Sequence, residues 1–154
     1  MEGAIILGLT ALDLLGALVV VERAGSMSAP KYDDLPAKSK LAGLLRVLAL
    51  SDCFPNRTRD FGLFAEANGW SGTAVALTEL RHGYVHANRK RRDIVLAAPN
   101  TATFWAWQLC LWYQELALLR LLGHRGDYLN RMTAKWVGQV ERVPWSGAGG
   151  PEEH

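Results

Sequence analysis

The run from Ala4 to Val21 is 18 residues long, and its only ionisable side chain is Asp13. A stretch this long and this apolar is read as a helix, either buried or spanning a membrane. It only just reaches spanning length, and Asp13 near its middle opposes insertion. No basic residue precedes it, as one would in a signal peptide. At about 100° per residue, Gly3, Thr10, Asp13, Gly16 and Ala17 fall on one side. The run therefore predicts a largely buried core helix with a narrow stripe of small or polar residues and no membrane association. A membrane span is the alternative that its length permits.

The remaining chain reads as helices with short breaks. Gly25 to Pro30 is a loop, and Asp34 is placed to cap a helix with Pro36 in its first turn. The apolar face of that helix is Leu41, Leu44, Leu45 and Leu48. Ser51 to Arg57 is a turn or a helix start. Phe61, Leu63, Phe64 and Ala65 make a short helix ending near Asn68-Gly69. Ser71 or Thr73 caps the next helix, which runs to about Asn88. Pro99-Asn100-Thr101 opens a long helix from about Ala102 to Leu122, stopped by Gly123. Period-two alternation is never sustained, and Ile94-Val95-Leu96 is the only strand-like run. The fold class is all-α, a bundle of about five to six helices over residues 1–140, with 141–154 as a flexible tail rich in Gly, Pro and Glu.

At 154 residues, 49% hydrophobic and 21% charged, the chain has enough apolar content for one core without disulfides. A net charge of +2 is too mild to argue for nucleic acid alone. Cys53 and Cys110 lie far apart and outside any CxxC pattern, so they read as free buried thiols in a reducing cytoplasm. No phosphate loop and no cofactor motif is present, and no metal is expected.

The densest polar chemistry lies at Arg81-His82-Gly83-Tyr84-Val85-His86, followed at once by Asn88 and the basic run Arg89, Lys90, Arg91 and Arg92. On a helix from Thr73 to Asn88, Leu77, Leu80 and Tyr84 share one face, and Glu79, His82, Gly83 and His86 share the other. Arg81 projects about 140° from His86, at the border of the apolar side. The imidazoles stand in the open while the guanidinium is partly sheltered and needs an anionic partner. Gly83 costs up to about 1 kcal/mol in a helix, which close approach of another backbone or a ligand would explain.

The spacing of Arg81 and His86, with polar His82 directly after the arginine, resembles the signature of the HEPN superfamily. Leu9-Thr10-Ala11-Leu12-Asp13-Leu14-Leu15 resembles the first helix of its ApeA-like branch. Residues 114–123, followed by Tyr128-Leu129-Asn130-Arg131, resemble that branch's closing helix. Asp13 stands where Glu is more common, and Asn88 stands where members controlled by nucleotidyl transfer carry Tyr. The resemblance implies a HEPN-like helical domain and a metal-independent endoribonuclease of bacterial defence or toxin type, acting in the cytoplasm. It also implies a homodimer, because in that superfamily two motifs face each other across a dimer. A regulatory or sensor protein is a further expected partner.

The implied chemistry matches the residues. Attack of a ribose 2′-hydroxyl on its own phosphate needs a proton acceptor titrating near neutrality, which suits His86. Charge on the phosphorane needs a forked cation, which suits Arg81. His82 would orient the site or contact phosphate, and Asp13 would hold Arg81 in position. Asn88 and Arg89 to Arg92 would grip RNA phosphates. Duller readings stand beside these. The basic run also suits a solvated helix end, and Glu79, His82 and His86 also suit a metal completed elsewhere. Trp105, Trp107 and Trp112 suit either base stacking or core packing. A catalytically silent HEPN module that binds RNA or a partner protein is the second function class.

Overall fold

The apolar run forms helix α1 (Glu2–Gly16), which continues through a π-helical segment, Ala17–Arg23. In that segment the bonding widens, with Ala24 N–H donating to the Val19 carbonyl at 2.9 Å. Ile5, Leu9, Leu12, Val19 and Val20 turn into the core. The opposite face is apolar rather than polar: Leu7 is 71% exposed, Leu14 68% and Leu18 39%. The expected small-residue stripe is split, because Thr10 and Asp13 face solvent while Gly16 is buried against the Tyr32 hydroxyl. The helix from Glu2 to Arg23 is long and apolar enough to cross a membrane, and 33% of its apolar window is buried in the fold. It is thus less buried than its composition predicts.

A computed structural model of the chain describes residues 1–133, 136 and 138–147. Seven α-helices and one two-stranded ribbon lie among them, an all-α bundle with slightly more helices than the periodicity predicts. One additional helix is α2 (Ala29–Asp33), opened by Pro30 in its first turn where a loop is expected. Asp34 ends this helix instead of capping the next. Helix α3 (Ala37–Val47) has Pro36 at its cap, and Leu41, Leu44, Leu45 and Leu48 are buried as their spacing predicts. Helix α4 (Arg59–Ala67) buries Phe61 and Ala65. Helices α5 (Gly72–Val85) and α6 (Arg89–Leu96) follow, then the long α7 (Asn100–Leu121). Ile94 to Leu96 is therefore helical, not a strand.

Helix α1 packs along α7 and also against α3 and α5. Gln114 Nε2 donates to the Gly8 carbonyl at 2.9 Å, and at the far end Arg23 approaches Gly123. The two helices therefore run in the same direction, and the π-helical end of α1 lies beside the C-terminus of α7. Gly123, at φ +71°, reverses the chain there. The expected tail begins later than residue 141. Asp127–Tyr128 (β1) pairs antiparallel with Glu141–Arg142 (β2). Trp145 is buried, its Nε1 donating to the His124 carbonyl at 2.8 Å. Apolar burial of the indole and this bond hold residues 141–147 on the domain. Residues 148–154, the remainder of that expected tail, lie outside the described residues.

The N-terminus of α5 is held from outside the helix. Neither Ser71 nor Thr73 supplies the cap expected of it; Asp52 Oδ1 accepts from Ala74 N at 2.7 Å and from Thr73 Oγ1 at 2.8 Å. Thr73 Oγ1 also bonds the Tyr113 hydroxyl at 2.9 Å, tying α5 to α7 inside the core. Burial raises the Tyr113 phenol well above its ordinary range, so it remains a neutral hydrogen-bonding group. Cys110 is buried and its thiol is pushed up to about 12. Cys53, expected to be buried, is exposed because it lies in the turn leading to Pro55.

We predict that Asp52→Ala lowers unfolding free energy by about 1–2 kcal/mol, the cost of losing a helix cap with a charged acceptor. Asp52→Asn, which keeps an acceptor oxygen, should lose less. Urea denaturation of the three proteins checks this, and an unchanged midpoint in Asp52→Ala would refute it.

Candidate functional site

The motif falls where α5 stops. His86 adopts extended backbone, φ −95° and ψ 143°, so the helix ends at Val85 and not near Asn88. Asn88 then caps α6, its Oδ1 accepting from Arg91 N at 3.1 Å. Asn is among the strongest N-cap residues, which is the local reason for the break. The basic run is consequently the first turn of a new helix. Its four cations sit at the positive end of α6, where the helix field opposes them, and not at a favourable C-terminus. Asp93 pairs with Arg89 at 3.8 Å, and Glu79 with Arg91 at 3.7 Å. Lys90 and Arg92 have no ion pair among the described residues.

Gly83 explains how α6 folds back. It is buried, and a Cβ there would stand 2.3 Å from Val95 Cγ1 and 2.9 Å from the Arg91 carbonyl. Close approach of another backbone is thus what the glycine permits, and the face expected to be open is covered by α6. His82 is drawn into the covered zone, with 29% of its side chain exposed, whereas His86 is exposed. The two rings lie 5.2 Å apart. His82 Nδ1 is 3.8 Å from Glu79 Oε1, too far for a hydrogen bond, and is buried without a hydrogen-bond partner. Burial lowers the His82 pKa below its ordinary 6.5; Glu79 opposes this, while His86, Arg91 and Arg81 reinforce it. The site is therefore a cluster of Glu79, His82, His86 and Arg91, with Asn88, Arg89, Lys90 and Arg92 at its rim.

Arg81 lies elsewhere. It lines a narrow cleft with Leu9, Leu12, Asp13, Lys40, Leu41 and Thr78. Asp13 shares that cleft, but its ion pair is with Lys40, at 3.6 Å, and not with Arg81. Lys40 comes from α3 and also lies 5.2 Å from the centroid of the Tyr32 ring. Burial and the nearby Asp13 and Asp33 push the Tyr32 phenol up to about 12. Arg81 has no carboxylate within ion-pair distance among the described residues. The structure thus brings His82 and His86 together, sets Arg81 to another side, and leaves Asp13 with a different partner.

Glu79 and Arg91 were visible in the sequence only as a face residue and one cation of four. The signal that joins them is Asn88, whose capping fixes which cation turns toward α5. Among the described residues, no three His, Cys, Asp or Glu side chains cluster as metal ligands. Of the three tryptophans singled out by the sequence, Trp112 is buried and Trp105 and Trp107 are half-buried; Arg57 lies over Trp105 at 5.5 Å, and Phe104 meets Trp105 and Trp107 edge-on.

Comparison with known proteins places the chain by family. It matches the YopA C-terminal domain over residues 1–142 and belongs to that family. No curated protein and no solved structure matches it.

Two outcomes follow from the covered histidine. Gly83→Ala should destabilise the fold by about 1–3 kcal/mol, although alanine favours helix, because the added methyl collides with Val95. A thermal melt at or above the parent's would contradict this. His82, with its folded pKa below 6.5, adds stability that is complete above 6.5 and lost as the pH falls from there through the folded value. Its NMR titration midpoint should therefore lie below 6.5 and fall further in Glu79→Gln, which removes the opposing charge; a rise in that variant would count against the cluster.

Proposed function

We propose that this YopA C-terminal domain is a cytoplasmic, metal-independent endoribonuclease of HEPN type, working in bacterial defence or as a toxin. One observation carries the reading: the exposed His86 imidazole stands beside a helix N-terminus bearing four consecutive cations. A helix N-terminus and its cations attract phosphate, and an accessible imidazole beside them is placed to act as a general base. In the reaction, His86 takes the proton of a ribose 2′-hydroxyl. The freed oxygen bonds the adjacent phosphorus, the bond to the 5′-oxygen breaks, and that oxygen leaves with a proton drawn from solvent, the counterpart of the one His86 took. The products are a 2′,3′-cyclic phosphate and a 5′-hydroxyl end. His82, held mainly neutral by burial, is a positioning residue for His86, and Arg89 to Arg92 grip the flanking phosphates.

Arg81 supports a composite site rather than a single-chain one, because it lines a different cleft from the histidines. A second copy would bring its guanidinium to the phosphorane. The exposed stripe of Leu7, Leu14 and Leu18 on α1 is the kind of face a homodimer buries. A regulatory or sensor protein remains part of the proposal as the source of control. The divergence of Arg81 from His86 equally favours a second reading, a catalytically silent module that binds RNA or a partner protein through the α6 end.

The test is expression of the parent beside His86→Ala and Arg81→Ala, with RNA integrity, growth and light scattering followed in each. Loss of an acid–base group predicts a fall in cleavage of about a hundredfold or more, and cleavage by the parent should persist in chelator. Cyclic-phosphate ends and a dimer are expected. Intact RNA with the parent, together with salt-dependent RNA binding, would establish the silent module instead.

A further inference from the structure

Arg23, Arg120 and Arg125 converge on one pocket of about 260 Å³ at the far end of the bundle, lined also by Ala24, Gly123 and Trp145. Arg23, at the π-helical end of α1, is brought from far along the chain to Arg120, in the last turn of α7, and Arg125, in the loop just after it. Gly123 brings them together, since its positive φ turns the loop back and a Cβ there would stand 3.3 Å from Arg23 Nη2. Arg120 is held over the buried Trp145 ring, 5.4 Å from its centroid, and Trp145 is itself fastened to the His124 carbonyl. No carboxylate lies within ion-pair distance of any of the three among the described residues.

Like charges are not gathered this way without something to offset them. The C-terminus of α7 supplies about half a negative charge, and cations are favoured there. Against three guanidinium groups that leaves a surplus of about two and a half positive charges. Burial is the main cause that pulls the Arg120 pKa down, and repulsion from Arg125 and Arg23 adds to it.

We propose that the Arg23, Arg120 and Arg125 pocket binds a phosphate monoester. A phosphate monoester carries about 1.5 to 2 negative charges at neutral pH and three terminal oxygens, closer to the surplus than a single carboxylate. Guanidinium forks bond such oxygens in pairs. At about 30 Å³ per water, the pocket also has room for the atoms that carry the phosphate. This site is separate from His86 and stands whether or not the chain cleaves RNA.

The test is calorimetry of the intact protein at constant ionic strength with inorganic phosphate, AMP, and vesicles of phosphatidic acid against phosphatidylcholine. Saturable binding of phosphate or AMP is expected, weakened about tenfold or more in Arg120→Gln and in Arg125→Gln. Arg125 is exposed, so its variant keeps the test valid if Arg120→Gln loses its packing on Trp145. Preference for AMP would identify a soluble ligand, and preference for phosphatidic acid a lipid headgroup; either supports the site. No binding of any probe at about 10 mM, or equal binding by the variants, overturns it. So does binding seen only with Glu152→Gln and Glu153→Gln together, which would make the chain's own carboxylates the occupant.

Discussion

A missing side chain at position 83 decides where the polar residues of this domain meet. Val95 and the Arg91 carbonyl lie in the space a Cβ would fill, so any larger residue would lift α6 off α5. With α6 seated, Arg91 reaches Glu79, His82 is half-covered, and His86 is left at an exposed edge. The Asn88 cap acts with this contact. It stops the backbone from continuing as one helix, and the glycine lets the second helix return against the first. Neither device alone produces the cluster.

These devices also explain which features the sequence revealed. Positions with strong periodicity were readable: Leu41, Leu44, Leu45 and Leu48 are buried, and Gly123 ends α7. The break at His86 was not, because an apolar and polar pattern of helical period runs through it, and only the capping competence of Asn88 marks the change. Asp34 failed as a cap because Pro30 opens a short helix just before it. The cap of α5 came from Asp52, 22 residues before Ala74, a tertiary contact that local pattern does not contain. The same limit hid the Asp13 to Lys40 pair, since angular position on α1 does not say which neighbouring helix presents a cation.

Charge is distributed unusually in this chain. Its net value is small, yet cations gather at two helix ends of opposite polarity. At the start of α6 the helix field adds to the cations, and two carboxylates, Asp93 and Glu79, partly offset them. At the end of α7 the helix field favours the cations and offsets part of their charge, and no carboxylate lies within ion-pair distance among the described residues. The first arrangement raises positive potential over an open surface, suited to an extended polyanion. The second confines it in a pocket, suited to one small anion.

This contrast bears on how the two regions communicate. Helix α5 carries His82, leads directly to His86 and is tied to α7 through Thr73 and Tyr113, while α7 carries Arg120 in its last turn. Thr73 and Tyr113 bond directly inside the core, and the Tyr113 phenol stays protonated through burial, so this link does not loosen with pH in the neutral range. A rigid connection of this kind fixes the geometry of both ends without making either a switch. Coupling would require a second arrangement of some element, and the tightly filled α5–α6 contact at Gly83 leaves little space for one there. Helix α1 is well packed on its inner side, but its outer face carries Leu7, Leu14 and Leu18 into solvent. If either region is regulated, association at that face is therefore the more economical route than rearrangement within the bundle.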